Sequence, residues 1–194
     1  MRSSLYIIYI IAFALAMFVN SAFAQANRPR PILVDVIGSS RSKQPAPVRI
    51  EKAALTTREM GSANQLEARA FELMNAQRQA NGLRALQWDE TIVALARMHS
   101  ENMANGKFFS HKDATGGYVD DRAAKLGIFN WMAIGENIAF MKGYEDPATT
   151  AVDKWMQSTS HKKNILNGQW RDSAIGVAVT ADGAVYFTQV FLAK

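Results

Sequence analysis

Ala174-Ile175-Gly176-Val177-Ala178-Val179-Thr180-Ala181-Asp182-Gly183-Ala184-Val185-Tyr186-Phe187-Thr188-Gln189-Val190-Phe191 is where the chain changes its hydrophobic period. Residues 174–180 and 184–191 are rich in Val, Ile, Tyr and Phe, which suit a pleated, half-buried surface. The short link ending in Gly183 joins them as a hairpin. Upstream, apolar residues recur at helical spacing instead. Leu66, Ala70, Leu73, Met74 and Gln77 share one face, with Ser62 or Asn64 as cap and Gly82 as stop. A second helix starts at Asp89, carries Ile92, Leu95, Ala96, His99 and Met103 on one face, and ends at Gly106. A third, shorter one spans residues 119–126, before Gly127. A fourth opens at Asp146-Pro147 and runs through Val152, Trp155 and Met156. Helices first and strands last predict an α+β layered fold and exclude βαβ winding.

The N-terminal stretch reads differently. Residues 5–19 form an uncharged apolar run of fifteen, preceded by Arg2 and followed by Ala22-Phe23-Ala24. This is a basic start, a signal-length apolar region and an A-x-A cleavage site, too short for a membrane span. Residues 1–24 are therefore expected to be a removed signal peptide, with an uncleaved anchor as the alternative. The protein is expected to be secreted or periplasmic. Residues 25–63 hold four of the five prolines, Pro29, Pro31, Pro45 and Pro47, and read as a Pro-rich basic tail or linker, with a short strand conceivable at residues 32–37. Residues 64–194 form the folded domain. The 194 residues contain no cysteine, which excludes disulfides, thiolate catalysis and cysteine-ligated zinc. A chain that is 48% hydrophobic and 20% charged is neither disordered nor a multi-span membrane protein.

The sequence has three histidines, His99, His111 and His161, each beside a polar cluster. Glu136 stands in Gly135-Glu136-Asn137-Ile138-Ala139, where flanking apolar residues predict burial and burial demands a partner, for which histidine is the candidate. No His-Glu-x-x-His, P-loop or Rossmann glycine pattern is present. Ser160-x-x-Lys163 matches an acyl-serine tetrapeptide, but its companion motifs are missing.

Phe108-Phe109-Ser110-His111, Gly135-Glu136-Asn137-Ile138-Ala139, Trp155-Met156-Gln157-Ser158-Thr159-Ser160-His161-Lys162-Lys163-Asn164-Ile165-Leu166, Gly176-Val177-Ala178-Val179 and Phe187-Thr188-Gln189-Val190-Phe191 together resemble the ordered signature blocks of the CAP superfamily. These are the cysteine-rich secretory, antigen 5 and pathogenesis-related proteins, here in the bacterial SCP-like branch. The resemblance implies a CAP-like α-β-α sandwich, with a small antiparallel sheet between helical layers and a cleft holding His111, His161 and Glu136. The family's second glutamate falls on Ser158, and Thr159-Ser160 stands where a Pro-Gly turn is usual. Many relatives are disulfide-rich, so this member must rely on its core.

Such a cleft offers three kinds of chemistry. His111 and His161 can hold a divalent metal, most plausibly zinc, with Glu136, water or His99 completing the shell, or with Glu136 free to act as base. Without metal, Ser158 or Ser160 with His161 and Glu136 would make an acyl-transfer triad. Alternatively the cleft is a non-enzymatic site for a lipid, a peptide or another cell-envelope component. The incomplete acidic set favours binding, with the metal-assisted or serine-type hydrolase as the alternative. Simpler readings stand beside these. His99 lies on an apolar helix face and is a satisfied buried histidine bordering the cleft. Asn137 and Asn164 satisfy backbone groups, Trp88, Trp131, Trp155 and Trp170 are core aromatics, Asp121-Arg122 is a cap or structural ion pair, and Ser158 a helix-end polar residue.

The formal net charge of +5 and pI near 9.6 suggest a basic protein, but the excess is local. Residues 25–63 carry seven basic side chains against three acidic, whereas residues 64–194 carry fourteen of each. The folded domain is thus not expected to bind nucleic acid specifically, and the tail is the segment suited to an anionic surface. A monomer is expected.

Overall fold

Ser62 opens the first helix, α1 (Ala63–Ala80), with a reciprocal cap. Gln65 N–H donates to the Ser62 hydroxyl at 3.4 Å, while the Ser62 N–H donates to Gln65 Oε1 at 2.8 Å. The computed structural model describes residues 62–194; the expected leader, the tail and the strand considered at residues 32–37 lie outside the described residues. A two-residue strand, β1 (Gln87–Trp88), precedes α2 (Glu90–Gly106), whose first turn Asp89 caps by accepting from Thr91 N–H at 2.8 Å. The helix ends at Gly106, as expected, and Lys107 takes the left-handed position after it at φ 51°. A Cβ at Gly106 would lie 2.7 Å from the Phe108 ring, so glycine lets that ring fold back on the helix end. Then come α3 (Val119–Lys125), β2 (Ala133–Lys142), α4 (Pro147–Gln157), α5 (Thr159–Ile165), β3 (Asp172–Val179) and β4 (Ala184–Ala193).

The hairpin forms as expected, with Gly183 at φ 77°. The sheet order is β1-β3-β4-β2. Its three long strands are antiparallel, and β1 adds parallel to β3, so the sheet is mixed at that margin. β2, pairing Glu136 with Val190, was not legible as a strand. Residues 134–139 are buried throughout, so they show no alternation, and Gly135, Glu136 and Asn137 are weak strand formers.

Two cores sandwich the sheet. Leu66, Met74, Trp155, Ile165, Phe187 and Phe191 join α1, α4 and α5 to one face; Ile92, Leu95, Ala123, Ile134 and Val190 join α2 and α3 to the other. This is the expected α-β-α sandwich. Glu67, outside the apolar stripe of α1, is also buried: it accepts from Arg97 Nε at 2.8 Å and from the Val177 N–H at 3.0 Å, tying α1 to α2 and β3. Among the described strands β2 lies at an edge. There Asn164 Nδ2 donates to the Glu136 carbonyl at 3.2 Å, and Trp155 Nε1 donates to the Ile138 carbonyl at 3.0 Å, so side chains of one helical layer cap acceptors that an incoming strand would use.

Candidate functional site

The site forms where the two helical layers meet at the β2 edge. Glu136 follows Ile134 and precedes Ile138 on the strand face that packs against α2 and α3, and its side chain is only 2% exposed. Both carboxylate oxygens are engaged. Nδ1 of His111, on the loop between α2 and α3, lies 2.8 Å from Oε1, and Arg122 Nη2 donates to Oε2. Burial alone would raise the Glu136 pKa, but the His111 hydrogen bond and the positive Arg122 outweigh it and hold the group below its ordinary value. The carboxylate is therefore ionised and fully partnered.

Arg122 is the site residue that sequence reading missed. Asp121 is a cap, accepting from the Tyr118 N–H at 3.0 Å, but Arg122 turns inward and is 1% exposed. Besides Glu136, its Nη1 donates to the His111 carbonyl at 2.8 Å and the Gly117 carbonyl at 3.1 Å. It holds both the main chain of His111 and the carboxylate that orients the His111 ring. The available signal was its place, with Val119 and Ala123, on the inner face of a short helix.

His99 is fully buried, with Nε2 2.9 Å from the Ser110 carbonyl. Because that partner can only accept, the proton sits on Nε2. Nδ1 has no hydrogen-bond partner. Burial chiefly lowers the His99 pKa, with the Glu136 charge opposing, so the ring is neutral. Its 3.9 Å separation from Glu136 is too long for a hydrogen bond, and it supports the His111 loop.

His161, on α5, approaches from the other layer. Asn137 Nδ2 donates to its carbonyl at 3.3 Å, and Asn164 Nδ2 donates to Asn137 Oδ1 at 3.0 Å, the structural role expected of both amides. Burial, helped by the charge of His111, pushes the His161 pKa down to about 4. Ser158 sits at the joint between α4 and α5, its hydroxyl 3.2 Å from that of Ser160. The Ser158–His161–Glu136 relay is not assembled, because the Glu136 bond to histidine goes to His111. Beside the site, the rings of Phe109 and Phe140 are 52% and 41% exposed and 6.4 Å apart, and Phe140 packs edge-on against Tyr186. Trp155 and Trp170 are buried core aromatics, while Trp88 and Trp131 are half-buried.

With Nδ1 bonded to Glu136, His111 leaves Nε2 for a metal or a ligand proton. A catalytic zinc takes three protein ligands. His111 and His161 supply two, and the carboxylate that would be a third is spent on Arg122 and His111. Among the described residues no group of three His, Cys, Asp or Glu could share an ion. The donor set does not fit a resident catalytic zinc.

A three-layer α-β-α domain with a histidine–carboxylate–arginine cluster at its sheet edge is the class that fold and site define. The chain belongs to the CAP family: residues 71–191 match the model of the cysteine-rich secretory protein family. It is 39% identical over 149 residues to the uncharacterised protein YkwD of Bacillus subtilis, covering 77% of this chain and 55% of that one. It is 33% identical over 128 residues to the uncharacterised membrane protein YlbC of the same organism, covering 66% of this chain and 34% of that one. The chain thus spans less than two thirds of either relative. Among solved structures, an extracellular SCP-domain protein of Bacillus anthracis matches with a TM-score of 0.61 at 32% identity, over 74% of this chain and 45% of that one. A Staphylococcus aureus cysteine-rich secretory protein, at 18% identity and a TM-score of 0.54 over 68% of this chain and 40% of that one, shares the fold.

Proposed function

We propose that this protein is an exported ligand-binding module, whose sheet-edge site takes a lipid, a peptide or another cell-envelope component. The commitment of both Glu136 oxygens to His111 and Arg122 carries this reading, because it removes the base that metal-assisted hydrolysis would use and the third member of a serine triad. What remains suits recognition: two imidazoles at a sheet edge, one of them held neutral by burial, with the exposed rings of Phe109 and Phe140 alongside. Zinc enters only as a weak ligand of His111 and His161, completed by water. Export rests on the sequence of residues 1–24 and on the likeness to an extracellular relative. The neutral charge balance of residues 64–194 supports a domain without specific nucleic-acid binding.

A second reading rests on one observation: a histidine oriented by a buried carboxylate is also a general base. Capture of long-chain lipids and envelope peptides by the full chain, measured beside hydrolysis of the same compounds, separates the two. Binding predicts stoichiometric capture that weakens in Phe140→Ala and His161→Ala, without turnover. Turnover that collapses in His111→Ala, with the variant still folded, would establish the hydrolase instead.

A further inference from the structure

After α5 the chain turns through residues 166–170 before entering β3, and this loop and the first residues of β2 line a pocket of about 620 Å3. That volume is in the range of small-molecule sites. The loop is fixed by side chains. Arg78, fully buried on α1, donates from Nη1 to the Ile165 carbonyl and, at 3.0 Å, to the Asn167 carbonyl. Trp170 Nε1 donates to the Asn164 carbonyl at 3.0 Å, and the Gln169 N–H donates to Asn167 Oδ1 at 2.9 Å. Gly135 lets the Trp170 ring lie against β2, since a Cβ there would come within 3.0 Å of it. The pocket is thus formed without a ligand, which spares binding the cost of ordering it.

Three kinds of group line it. Half-buried Ala133 and Leu166 supply apolar surface, Asn167 and Gln169 supply carboxamides, and Lys163 is the one charged residue of the lining. Lys163 and Gln169 are exposed to solvent, so both can reach an incoming molecule, and no carboxylate among the described residues pairs with Lys163. An anion would meet one cation and no acidic group. A second negative charge would go unmatched, which favours a carboxylate over a phosphate monoester. A bare carboxylate would leave the carboxamides and the apolar surface unused, whereas the end of a peptide engages all three. We infer that this pocket is a second binding site, distinct from the His111–His161 edge, for the free C-terminus of a peptide ending in an apolar residue. Lys163 pairs with the terminal carboxylate, the carboxamides meet the last amide group, and the last side chain rests on Ala133 and Leu166. Asn164 also lines the pocket, while its Nδ2 donates to the Glu136 carbonyl and to Asn137 Oδ1, so the two sites share a wall. Binding here does not depend on what the histidine edge takes.

The probe is N-acetyl-L-leucine, titrated into full-length protein labelled with 15N, with N-acetyl-L-leucinamide, N-acetylglycine and phenyl phosphate as comparators that lack the charge, the apolar side chain and the single charge respectively. Saturable movement of the Gly168 and Gln169 amide resonances is expected, with the acid binding about fivefold tighter than each comparator, the worth of one exposed charge pair or one partly buried side chain. Lys163→Met, at an exposed position, should bring the acid down to the level of the leucinamide and leave the leucinamide unchanged, and Lys163→Arg should restore the preference. Absence of saturable binding, equal binding of acid and leucinamide to the unsubstituted protein, a preference that survives Lys163→Met, tighter binding of phenyl phosphate, or movement confined to residues 108–111 and 158–161 would overturn the proposal.

Discussion

Nδ1 of His111 lies 2.8 Å from Oε1 of Glu136, and the other oxygen of that carboxylate is taken by Arg122. A loop, a helix and the edge strand thereby share one buried negative charge. Removing one partner of such a pair strands the other. Glu136→Leu and Arg122→Met should each cost about 3–5 kcal/mol, whereas the double variant carrying both should cost much less than their sum. Urea denaturation of the three variants measures this, and additive losses would show that the charges are not coupled.

His161 makes stability depend on acid. Its pKa falls from 6.5 to about 4 in the folded protein, so between those values the unfolded chain takes up a proton that the folded protein refuses. Stability is therefore full above pH 6.5 and falls as pH drops towards 4. The loss is of order 2 kcal/mol after allowance for partial exposure. Buried His99 adds a slope of the same sign. Denaturation at pH 7.5, 5.5 and 4.5 should show a shallower slope in His161→Gln; an identical slope would remove His161 from the account.

Zinc titration by calorimetry should give weak one-to-one binding, lost in His111→Ala and in His161→Ala and weakened by acid, because a protonated imidazole cannot ligate. Tight binding that survives either substitution would place the metal elsewhere.

Gly176 is where β3 meets the α2 backbone. A Cβ there would sit 2.1 Å from Arg97 N and 2.3 Å from the Ala96 carbonyl carbon, main-chain atoms that cannot rotate away. Gly176→Ala should cost about 3 kcal/mol or more, read from the thermal midpoint. A loss under about 1 kcal/mol would mean that helix and strand separate easily.

Residues 25–60 carry the positive excess. Deleting them should reduce salt-sensitive binding to anionic vesicles and leave the far-ultraviolet spectrum and melting of the domain unchanged. Unaltered vesicle binding would make the segment a spacer.

Much of the fold was legible because its signals are local. Ser62, Asp89 and Asp146 cap the helices assigned to them, and the residue 174–191 hairpin forms around Gly183. β2 and α5 were missed for opposite reasons. The strand is buried on both faces and lacks an alternating pattern, and the seven-residue helix is too short to show a period.

The sequence by itself determined the supply of chemistry: three histidines, a glutamate between apolar neighbours, no cysteine and a neutral domain behind a basic tail. Which groups pair was decided only by tertiary structure. Glu136 projects from the face of β2 that packs on α2 and α3, the side from which His111 and Arg122 arrive, while Ser158 belongs to the α4–α5 layer. A side chain can bond only what its own face of the sheet brings near. Arg122, 14 residues from Glu136 in sequence, became its partner by that route and not through any local pattern.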